Sequence, residues 1–308
     1  MKNLIDLHLH LDGSLSSNTV CALAEMQGVT LPKSQEELQN LLCAPKRCRD
    51  LNEYLERFEL PLSLLQTAQA IELATFRLCQ TLKQQELSYA EIRFAPQLHR
   101  KNGLSMREIT AAAIQGMEKS CFNAQIILCC MRSSSNHAAN IETLNTAKEF
   151  FRRGVCAIDL AGAEGLFKTE SFDDIFALAN SLSIPFTIHA GEADGADSVR
   201  TAILAGAKRI GHGVRAAESD AVMALILERG VTLEMCPTSN FQTGACKNIA
   251  DYPLKKFLDM GIKVTINTDN MSVSNTTIAK EYAFAKEILG LSGTDLNKVY
   301  EYAQAAKF

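Results

Sequence analysis

Short runs of β-branched and apolar residues recur along the chain, and segments with helical spacing of apolar positions follow most of them. Eight such runs predict strands at 4–10, 89–95, 124–131, 155–161, 186–190, 209–212, 232–236 and 263–268. The clearest helical patterns lie at 107–119, 141–153, 172–181 and 221–229. Gly230 and Gly261 each directly follow a helical pattern, as is typical of a helix C-terminus. Eight strands alternating with helices predict an α/β fold, a (β/α)8 TIM barrel.

A doubly wound open sheet is the alternative with the same alternation of strands and helices. No Gly-x-Gly-x-x-Gly follows the first predicted strand, which argues against the dinucleotide-binding form of that fold. One barrel accommodates 308 residues, and neither internal repeats nor a change of composition divides the chain. We therefore predict a single catalytic domain over 1–308.

One connection is too long for a simple barrel. Roughly 75 residues separate the first two predicted strands, with helical patterns at 35–42, 51–58 and 68–84. These patterns predict a helical lid insertion at about 33–85 over the active face. Four residues are candidates for an apolar wall over a substrate, with ordinary helix packing as the alternative: Phe58, Leu60, Leu62 and Leu65.

Composition excludes several classes of function. The formal net charge is −4 without a basic run, which argues against binding to nucleic acid or to an anionic membrane. No apolar run is long enough to span a bilayer, and the first residues lack the apolar stretch of a signal peptide. Ten cysteines without a secretion signal predict reduced thiols and a cytoplasmic protein. The oligomeric state does not follow from the sequence.

Polar clusters close four of the predicted strands, and they contain four of the six histidines. The active site of a barrel enzyme lies at the carboxyl ends of its strands. The clusters are His8-Leu-His10-Leu-Asp12-Gly13, His189-Ala-Gly-Glu192, Gly211-His212-Gly213 and Thr268-Asp269-Asn270.

The first, second and fourth clusters together predict a metal site. His8 and His10 are two residues apart on a strand, so their rings lie on the same face. His189 ends the fifth predicted strand and Asp269 the eighth, and three imidazoles with one carboxylate suit Zn²⁺, although the ligand types leave Fe²⁺ and Co²⁺ open. No lysine stands at 158–162, where a bridging lysine of a two-metal site would lie, so we predict one ion.

Two further residues are candidates for proton transfer. Glu192 follows His189 by three residues, and we predict a general acid or base beside the metal, with an ordinary helix N-terminal acid as the alternative. His212 lies between two glycines, which allow close approach of backbone and ligand. We predict that it orients and deprotonates the attacking water, with a buried histidine bonded to a backbone carbonyl as the alternative.

Six short motifs resemble those of the adenosine deaminase family of metal-dependent hydrolases, in the family's order and across essentially the whole chain. They are HLHLDGSL (8–15), DLAGAE (159–164), HAGE (189–192), RIGHGVR (209–215), MCPTSN (235–240) and NTDN (267–270). The resemblance implies a zinc-dependent (β/α)8 barrel that hydrolyses the 6-amino group of purine nucleosides.

The resemblance also implies roles for individual residues. One zinc ion per chain would be held by four side chains: His8, His10, His189 and Asp269. Glu192 would protonate the purine N1, His212 would position and deprotonate the attacking water, and Asp269 would also hold that water.

Four residues are expected to contact substrate: His10, Asp12, Gly162 and Asn270. The resemblance implies that Gly162 donates its backbone N–H to purine N3 and that Asp12 accepts a hydrogen bond from a ribose hydroxyl. Asn270 departs from the second aspartate usual in the family, which contacts N7. An amide donates to N7 without needing protonation, so Asn270 is expected to serve there. The chain is also short for the family, which predicts a trimmed last helix.

The expected reaction is hydrolytic deamination of adenosine and 2′-deoxyadenosine to inosine and ammonia, a step of purine salvage. Deamination of adenine or another 6-aminopurine is an alternative, although Asp12 stands where adenine-specific relatives tend to carry glutamate. An AMP substrate would need a phosphate cradle, and nothing obvious in the sequence supplies one, with Arg93 and Lys168 the two residues left open for that role. A non-catalytic nucleoside-binding relative and an amidohydrolase for a cyclic amide or ester are the remaining alternatives.

Overall fold

Eight parallel strands, each buried on both faces, form the centre of the molecule in a computed structural model that describes residues 3–308. The strands are β1 (Ile5–His10), β2 (Tyr89–Phe94), β3 (Ala124–Met131), β4 (Val155–Ala161), β5 (Thr187–Ala190), β6 (Arg209–His212), β7 (Thr232–Met235) and β8 (Lys263–Ile266). Their β-branched and aliphatic residues suit a parallel sheet that other elements cover on both sides.

The strands pair in sequence order, β1 to β4 in one sheet and β5 to β8 in another. Single bridges join the two sheets, between Ile158 and Phe186 on one side and between Leu9 and Asp269 on the other. These bridges close the barrel, which confirms the predicted (β/α)8 architecture over the doubly wound alternative.

Fourteen α-helices surround the barrel within residues 3–308. They are α1 (Ser17–Gln27), α2 (Gln35–Leu42), α3 (Leu51–Leu55), α4 (Glu59–Leu64), α5 (Ala68–Gln84), α6 (Met106–Ser120), α7 (His137–Phe150), α8 (Asp173–Ser181), α9 (Ala196–Ala205), α10 (Asp220–Arg229), α11 (Pro237–Gln242), α12 (Leu254–Asp259), α13 (Ile278–Glu287) and α14 (Gly293–Ala305). Short 3-10 turns stand at Asp12–Ser14, Glu56–Phe58, Pro96–His99, Thr169–Phe172, Val214–Glu218 and Ile249–Asp251.

Most predicted helices agree with the structure, with two instructive differences. The predicted helix at 141–153 corresponds to α7, which begins at His137 and ends at Phe150. Arg152 and Gly154 have φ of 60° and 109°, a backbone conformation that no α-helix continues through. The helical patterns named from the sequence also did not include α1 or α4.

The segment between β1 and β2 contains α1 to α5 and reaches over the carboxyl ends of the strands. Backbone hydrogen bonds tie it to distant loops: the N–H of Ala44 donates to Val273 and that of Cys48 to Gln242, at 2.8 Å each. These contacts place α3 and α4 beside the mouth of the barrel. Within residues 3–308, no helix has both the length and the apolar character needed to cross a membrane.

Candidate active site

Four predicted ligands meet at the carboxyl ends of the strands. His8 and His10 come from β1, His189 from β5 and Asp269 from the residues after β8. The Nε2 atoms of His10 and His189 are 3.2 Å apart, and Oδ1 of Asp269 lies 3.4 Å from Nε2 of His8 and 3.5 Å from Nε2 of His10. All four ligand atoms lie within 4.8 Å of one another.

This arrangement fits one metal ion. Ligand atoms about 2.0–2.1 Å from a tetrahedral ion are about 3.3 Å from each other, close to the separations found here. The Nε2 atom of His8 is buried and has no hydrogen-bond partner, which would be costly for a group that did not bind a ligand. The donor set of three imidazoles and one carboxylate belongs to a divalent transition metal or zinc.

Two buried carboxylates orient the histidine rings. The Nδ1 atom of His8 lies 2.8 Å from Oε2 of Glu234, and Nδ1 of His189 lies 2.9 Å from Oδ2 of Asp159. A proton on each Nδ1 donates to the carboxylate, which leaves the lone pair of each Nε2 facing the shared centre. The roles of Glu234 and Asp159 were missed from sequence, although an acid within an apolar strand is a signal for such a role.

Asp269 adopts an unusual backbone conformation with φ of 60°. Its Oδ2 accepts a hydrogen bond from the Ser239 hydroxyl at 2.6 Å, so Oδ1 faces the histidines. Burial by itself would raise the pKa of Asp269, but the close approach of His8 and the neighbouring imidazoles of His212 and His10 hold this pKa well below its usual value. Asp269 is therefore an ionised carboxylate at neutral pH.

A second group of side chains that could bind a metal ion consists of His212, Cys236 and Asp269, and it shares Asp269 with the first group. Burial raises the pKa of the Cys236 thiol well above its usual value, and the Sγ–H donates to the backbone oxygen of Glu234 at 3.4 Å. Because a thiol binds metal as a thiolate, this group is a poor alternative ligand set.

Glu192 lies in the turn after β5 and is buried. Its Oε2 is 3.4 Å from Nε2 of His212. Burial, together with the charges of Asp269 and Glu164, raises the pKa of Glu192 well above its usual value. A carboxyl group in this state keeps its proton near neutral pH, as a general acid requires.

Glu164 holds the loop that carries Glu192, and sequence reasoning missed this role. Its carboxylate accepts backbone N–H bonds from Gly191, Glu192, Ala193 and Asp194, at 2.7–3.1 Å. A fifth bond comes from a serine hydroxyl at 2.6 Å. Five hydrogen bonds to one carboxylate fix the turn in a single conformation, and with it the direction of the Glu192 side chain.

His212 ends β6 with φ of 64°, and its ring is buried. Nδ2 of Asn240 donates to Nδ1 of His212 at 2.9 Å, and the backbone N–H of Cys236 donates to Oδ1 of Asn240, which sets the amide's orientation. Burial lowers the pKa of His212 well below its usual value, so the ring is neutral. Because Nδ1 is an acceptor, the neutral ring carries its proton on Nε2, which argues against the predicted deprotonation of water by His212.

The polar groups line one end of a cavity of about 820 Å³, including its open mouth. Four side chains of the segment between β1 and β2 form an apolar wall: Leu51, Leu55, Phe58 and Leu62. Their spacing of three or four residues puts them on one side of α3 and α4. Of the predicted wall, Phe58 and Leu62 line the cavity, whereas Leu60 and Leu65 pack with the hydrophobic core.

Asp12 and Gly162 both line this cavity. The Oδ1 atom of Asp12 is buried without a hydrogen-bond partner, and burial raises the pKa of this carboxyl to about 6. Gly162 has φ of 107°, a conformation that favours glycine, and it presents backbone to the cavity. Both residues are thus available to a ligand.

Asn270 also lines the cavity, and its Oδ1 is buried without a hydrogen-bond partner. This oxygen packs against the backbone of Gly13, where a Cβ atom would come within 1.8 Å of it. Glycine at position 13 therefore makes room for the Asn270 side chain. With the oxygen on that side, the amide nitrogen is directed away from Gly13.

The candidates for a phosphate cradle are not placed to bind one. Arg93 is fully buried and donates to Asp159 and Glu234, at 2.9 Å each. Lys168 donates to Asp194 at 2.7 Å, and neither cation lines the cavity. Neither of the two residues that the sequence left open for binding the phosphate of AMP is therefore placed for that role.

Comparison with known proteins agrees with this site. The family model described as Adenosine deaminase matches residues 4–308. The chain is 49% identical to a protein of Haemophilus ducreyi named Adenosine deaminase, over 99% of this chain and 91% of that protein.

Two solved structures share the fold. An adenine deaminase from Arthrobacter aurescens superposes with a TM-score of 0.88 at 24% identity, over 100% of this chain and 94% of that one. An amidohydrolase from Burkholderia ambifaria, solved with bound Zn, superposes with a TM-score of 0.88 at 18% identity, over 99% of this chain and 85% of that one. At these identities the likeness extends to the barrel architecture only.

Proposed function

The chain belongs to the adenosine deaminase family, and from that premise we propose that it hydrolyses adenosine and 2′-deoxyadenosine to inosine or 2′-deoxyinosine and ammonia. The enzyme is a hydrolase that acts on the C–N bond of a cyclic amidine, within purine salvage. Its ten cysteines are free thiols, which fits the cytoplasmic location predicted from composition.

One observation carries the assignment more than any other. A buried carboxyl with a raised pKa, Glu192, and a buried imidazole with a lowered pKa, His212, lie 3.4 Å apart in a cavity beside a convergent set of three histidines and one carboxylate. Replacement of an aromatic amine by water needs an activated water, a proton donor to the ring and a dry pocket, and this arrangement supplies all three.

We assign the ion to one Zn²⁺ held by His8, His10, His189 and Asp269. When bound, such an ion lowers the pKa of water toward about 7 and so makes a hydroxide-like nucleophile available at neutral pH. The outer hydrogen bonds of His8 and His189 support the assignment, because they keep both Nε2 lone pairs free for the ion.

Glu192 acts as the general acid. Its proton goes to N1 of the purine, which draws electron density from C6 and favours attack there by the water oxygen. The C6–N6 bond then breaks and C6 becomes a carbonyl. Of the two protons of the water, one leaves with the 6-amino group as ammonia and the other returns to the Glu192 carboxylate. Glu164 keeps Glu192 in position through the hydrogen bonds that hold its loop.

His212 orients the attacking water in this proposal. Its Nε2–H faces the cavity and donates a hydrogen bond to the water oxygen, while Asn240 holds the other ring nitrogen. Asp269, an ionised carboxylate on the other side of the set of proposed ligands, is a hydrogen-bond acceptor. This division differs from the general-base role that the sequence predicted for His212.

Three residues are proposed to recognise the nucleoside. The unpartnered Asp12 carboxyl accepts from a ribose hydroxyl, the backbone N–H of Gly162 donates to N3, and the Asn270 amide donates to N7. Free adenine has no ribose hydroxyl and would leave the buried Asp12 acceptor without a partner. This cost favours a nucleoside as substrate over the free base. His10 borders the same pocket and contacts the substrate from the metal side.

The segment at about 33–85 is proposed as the lid of this pocket. Its apolar wall excludes water from the purine, which strengthens the electrostatic interactions of Glu192 and His212. The hydrogen bonds from Ala44 and Cys48 to loops after β8 and β7 hold it over the mouth.

Ultraviolet absorbance of the zinc-loaded protein with adenosine, 2′-deoxyadenosine, adenine and AMP tests the proposal. We expect conversion of both nucleosides, with AMP and adenine slower. The Glu192→Gln variant, which retains the size of the side chain but cannot act as an acid, is the matched control and is expected to convert neither nucleoside at a comparable rate.

Two results would contradict the proposal. Conversion of adenine or AMP in preference to adenosine would reassign the substrate within the same chemistry. Absence of turnover on all four compounds, with one zinc per chain measured, would favour a non-catalytic nucleoside-binding protein.

A further inference from the structure

Arg93 lies on β2 beneath the proposed metal ligands, and its side chain is completely buried. Its Nη1 donates to Oδ2 of Asp159 at 2.9 Å, and its Nη2 donates to Oε2 of Glu234 at 2.9 Å. The same Nη2 donates to the backbone oxygen of Leu7 at 2.6 Å. One guanidinium group thus spans carboxylates from β4 and β7 and the backbone of β1.

These two carboxylates are the ones that orient metal ligands. Glu234 uses the oxygen that Arg93 contacts, Oε2, to accept from His8, and Asp159 uses Oδ2 to accept from His189. Arg93 is therefore two hydrogen bonds away from the Nε2 atoms on both sides of the site. No other cation of the described chain contacts both carboxylates.

A second arginine holds only one side. Arg209 donates from Nε to Oε1 of Glu234 at 2.5 Å and from Nη2 to Glu91, which lies nearer the amino ends of the strands. The ring of Phe308 stacks on its guanidinium, with the centroid 3.8 Å from Cζ. Arg209 thus offers an internal comparison, since it contacts Glu234 but not Asp159.

We propose that Arg93 is a positioning residue for the metal site, which holds Glu234 and Asp159 so that His8 and His189 face the same ion. This inference rests on the proposed function, because it takes the ion to be bound there. Arg93 acts through the two carboxylates and contacts neither substrate nor ion.

Lysine is not an adequate substitute for this role. The guanidinium group donates along two parallel directions from a planar fork, whereas an ammonium group is a single point of charge. Lysine at position 93 keeps the positive charge but is expected to hold one carboxylate at a time. The other carboxylate, and the histidine that it orients, then gains freedom.

The test measures zinc loss from the loaded protein to an excess of chelator at neutral pH, in wild type, Arg93→Lys and Arg209→Lys. Loss of an outer-shell contact typically weakens metal binding by about 10–100-fold. We expect a release rate within that range above wild type for Arg93→Lys and a smaller increase for Arg209→Lys. Co²⁺ substitution adds a spectroscopic readout, because the visible absorption of Co²⁺ reports its coordination geometry and is expected to change in Arg93→Lys.

A charge-balanced variant covers the case in which Arg93→Lys does not fold. Arg93→Met combined with Asp159→Asn removes one charge of each sign, so no unpaired buried charge remains. The comparison is with Asp159→Asn alone. If Arg93 holds both carboxylates, the double variant loses zinc faster than the single one, because Glu234 then keeps only Arg209 and loses the arginine bond at Oε2, the oxygen that orients His8.

The outcomes separate this inference from the function on which it rests. A folded Arg93→Lys protein with the wild-type release rate and Co²⁺ spectrum would overturn the positioning role and leave the metal site intact. Equal release from the double variant and from Asp159→Asn would do the same. A wild-type protein that binds no stoichiometric zinc would instead overturn the metal site itself.

Discussion

The floor of the cavity and its apolar wall differ in the structural elements that form them and in the precision that their roles require. The floor, formed by His10, His189 and Asp269 together with the fully buried His8 next to them, belongs to strand ends, and outer carboxylates orient two of its rings. The wall, formed by Leu51, Leu55, Phe58 and Leu62, belongs to short helices of the segment between β1 and β2.

The comparison teaches where precision is needed. Metal binding and proton transfer depend on angles and on distances of a few tenths of an ångström, so the floor stands on the most constrained part of the barrel. The wall contributes apolar area, which depends little on direction. We therefore expect changes in the floor to affect metal retention and kcat, and changes in the wall to affect KM.

The largest effect is expected from His8→Ala. Removal of this ligand should abolish stoichiometric zinc binding, turnover and the rise in Tm on addition of zinc, because ligands that bind only the folded state stabilise it. Elemental analysis and thermal unfolding measure both. His137→Ala is the matched control, since this exposed histidine pairs with Asp174 outside the site. Full zinc content in His8→Ala would remove His8 from the ligand set.

Glu192→Gln is expected to retain zinc and to reduce kcat by about 10²–10⁴-fold, the usual contribution of a general acid. Steady-state kinetics with adenosine, alongside zinc analysis, measure this separation of chemistry from metal binding. Loss of zinc together with activity would mean that Glu192 supports the ligands and does not donate a proton.

The pH dependence of kcat/KM should report Glu192 and His212, which line the cavity beside the floor. Glu192 works in its protonated form and its pKa is raised, so activity is expected to persist through neutral pH and fall as pH rises past that pKa. His212 works in its neutral form and its pKa is lowered, so the acid limb should lie well below neutral. On each limb, kcat/KM approaches a tenfold change for one pH unit. Because Glu192 and His212 adjoin, the two apparent pKa values belong to the pair of groups and not to either residue alone. A maximum confined to alkaline pH would contradict these protonation states.

Phe58→Ala tests the wall. Loss of about 1 kcal/mol of apolar contact corresponds to roughly a fivefold rise in KM for adenosine, with kcat little changed. Leu41→Ala is a suitable control, because Leu41 is an exposed apolar residue of α2 outside the cavity. A fall in kcat with constant KM would show that the wall also orders the reacting groups.

The smallest effect is expected from a change at Asn270, which lines the cavity between the floor and the wall. Asn270→Ala should lower kcat/KM for adenosine by more than about threefold, because a single neutral hydrogen bond contributes about 0.5–1.5 kcal/mol. Competition of adenosine with its 7-deaza analogue, which lacks the N7 acceptor, checks the assignment. An unchanged preference in Asn270→Ala would remove Asn270 from the contact with N7.

Much of this molecule follows from the sequence. The alternation of strands and helices predicts the barrel, and the period of two places His8 and His10 on one face. Each ligand of the proposed metal site closes a predicted strand or directly follows it, so strand ends alone identify His189 and Asp269. These features are local, and local patterns are what a single sequence displays.

Only the tertiary structure decided the partners of these residues. Glu234 is 226 residues from His8, and Arg93 is 66 residues from Asp159. Arg93, which the sequence left open for contact with a phosphate, is buried in the barrel, and the proton on His212 is placed by Asn240. Barrel closure, together with the turns at the strand ends, brings these groups together. Such contacts have no period along the chain, which is the physical reason that sequence patterns identify the ligands but not the network that orients them.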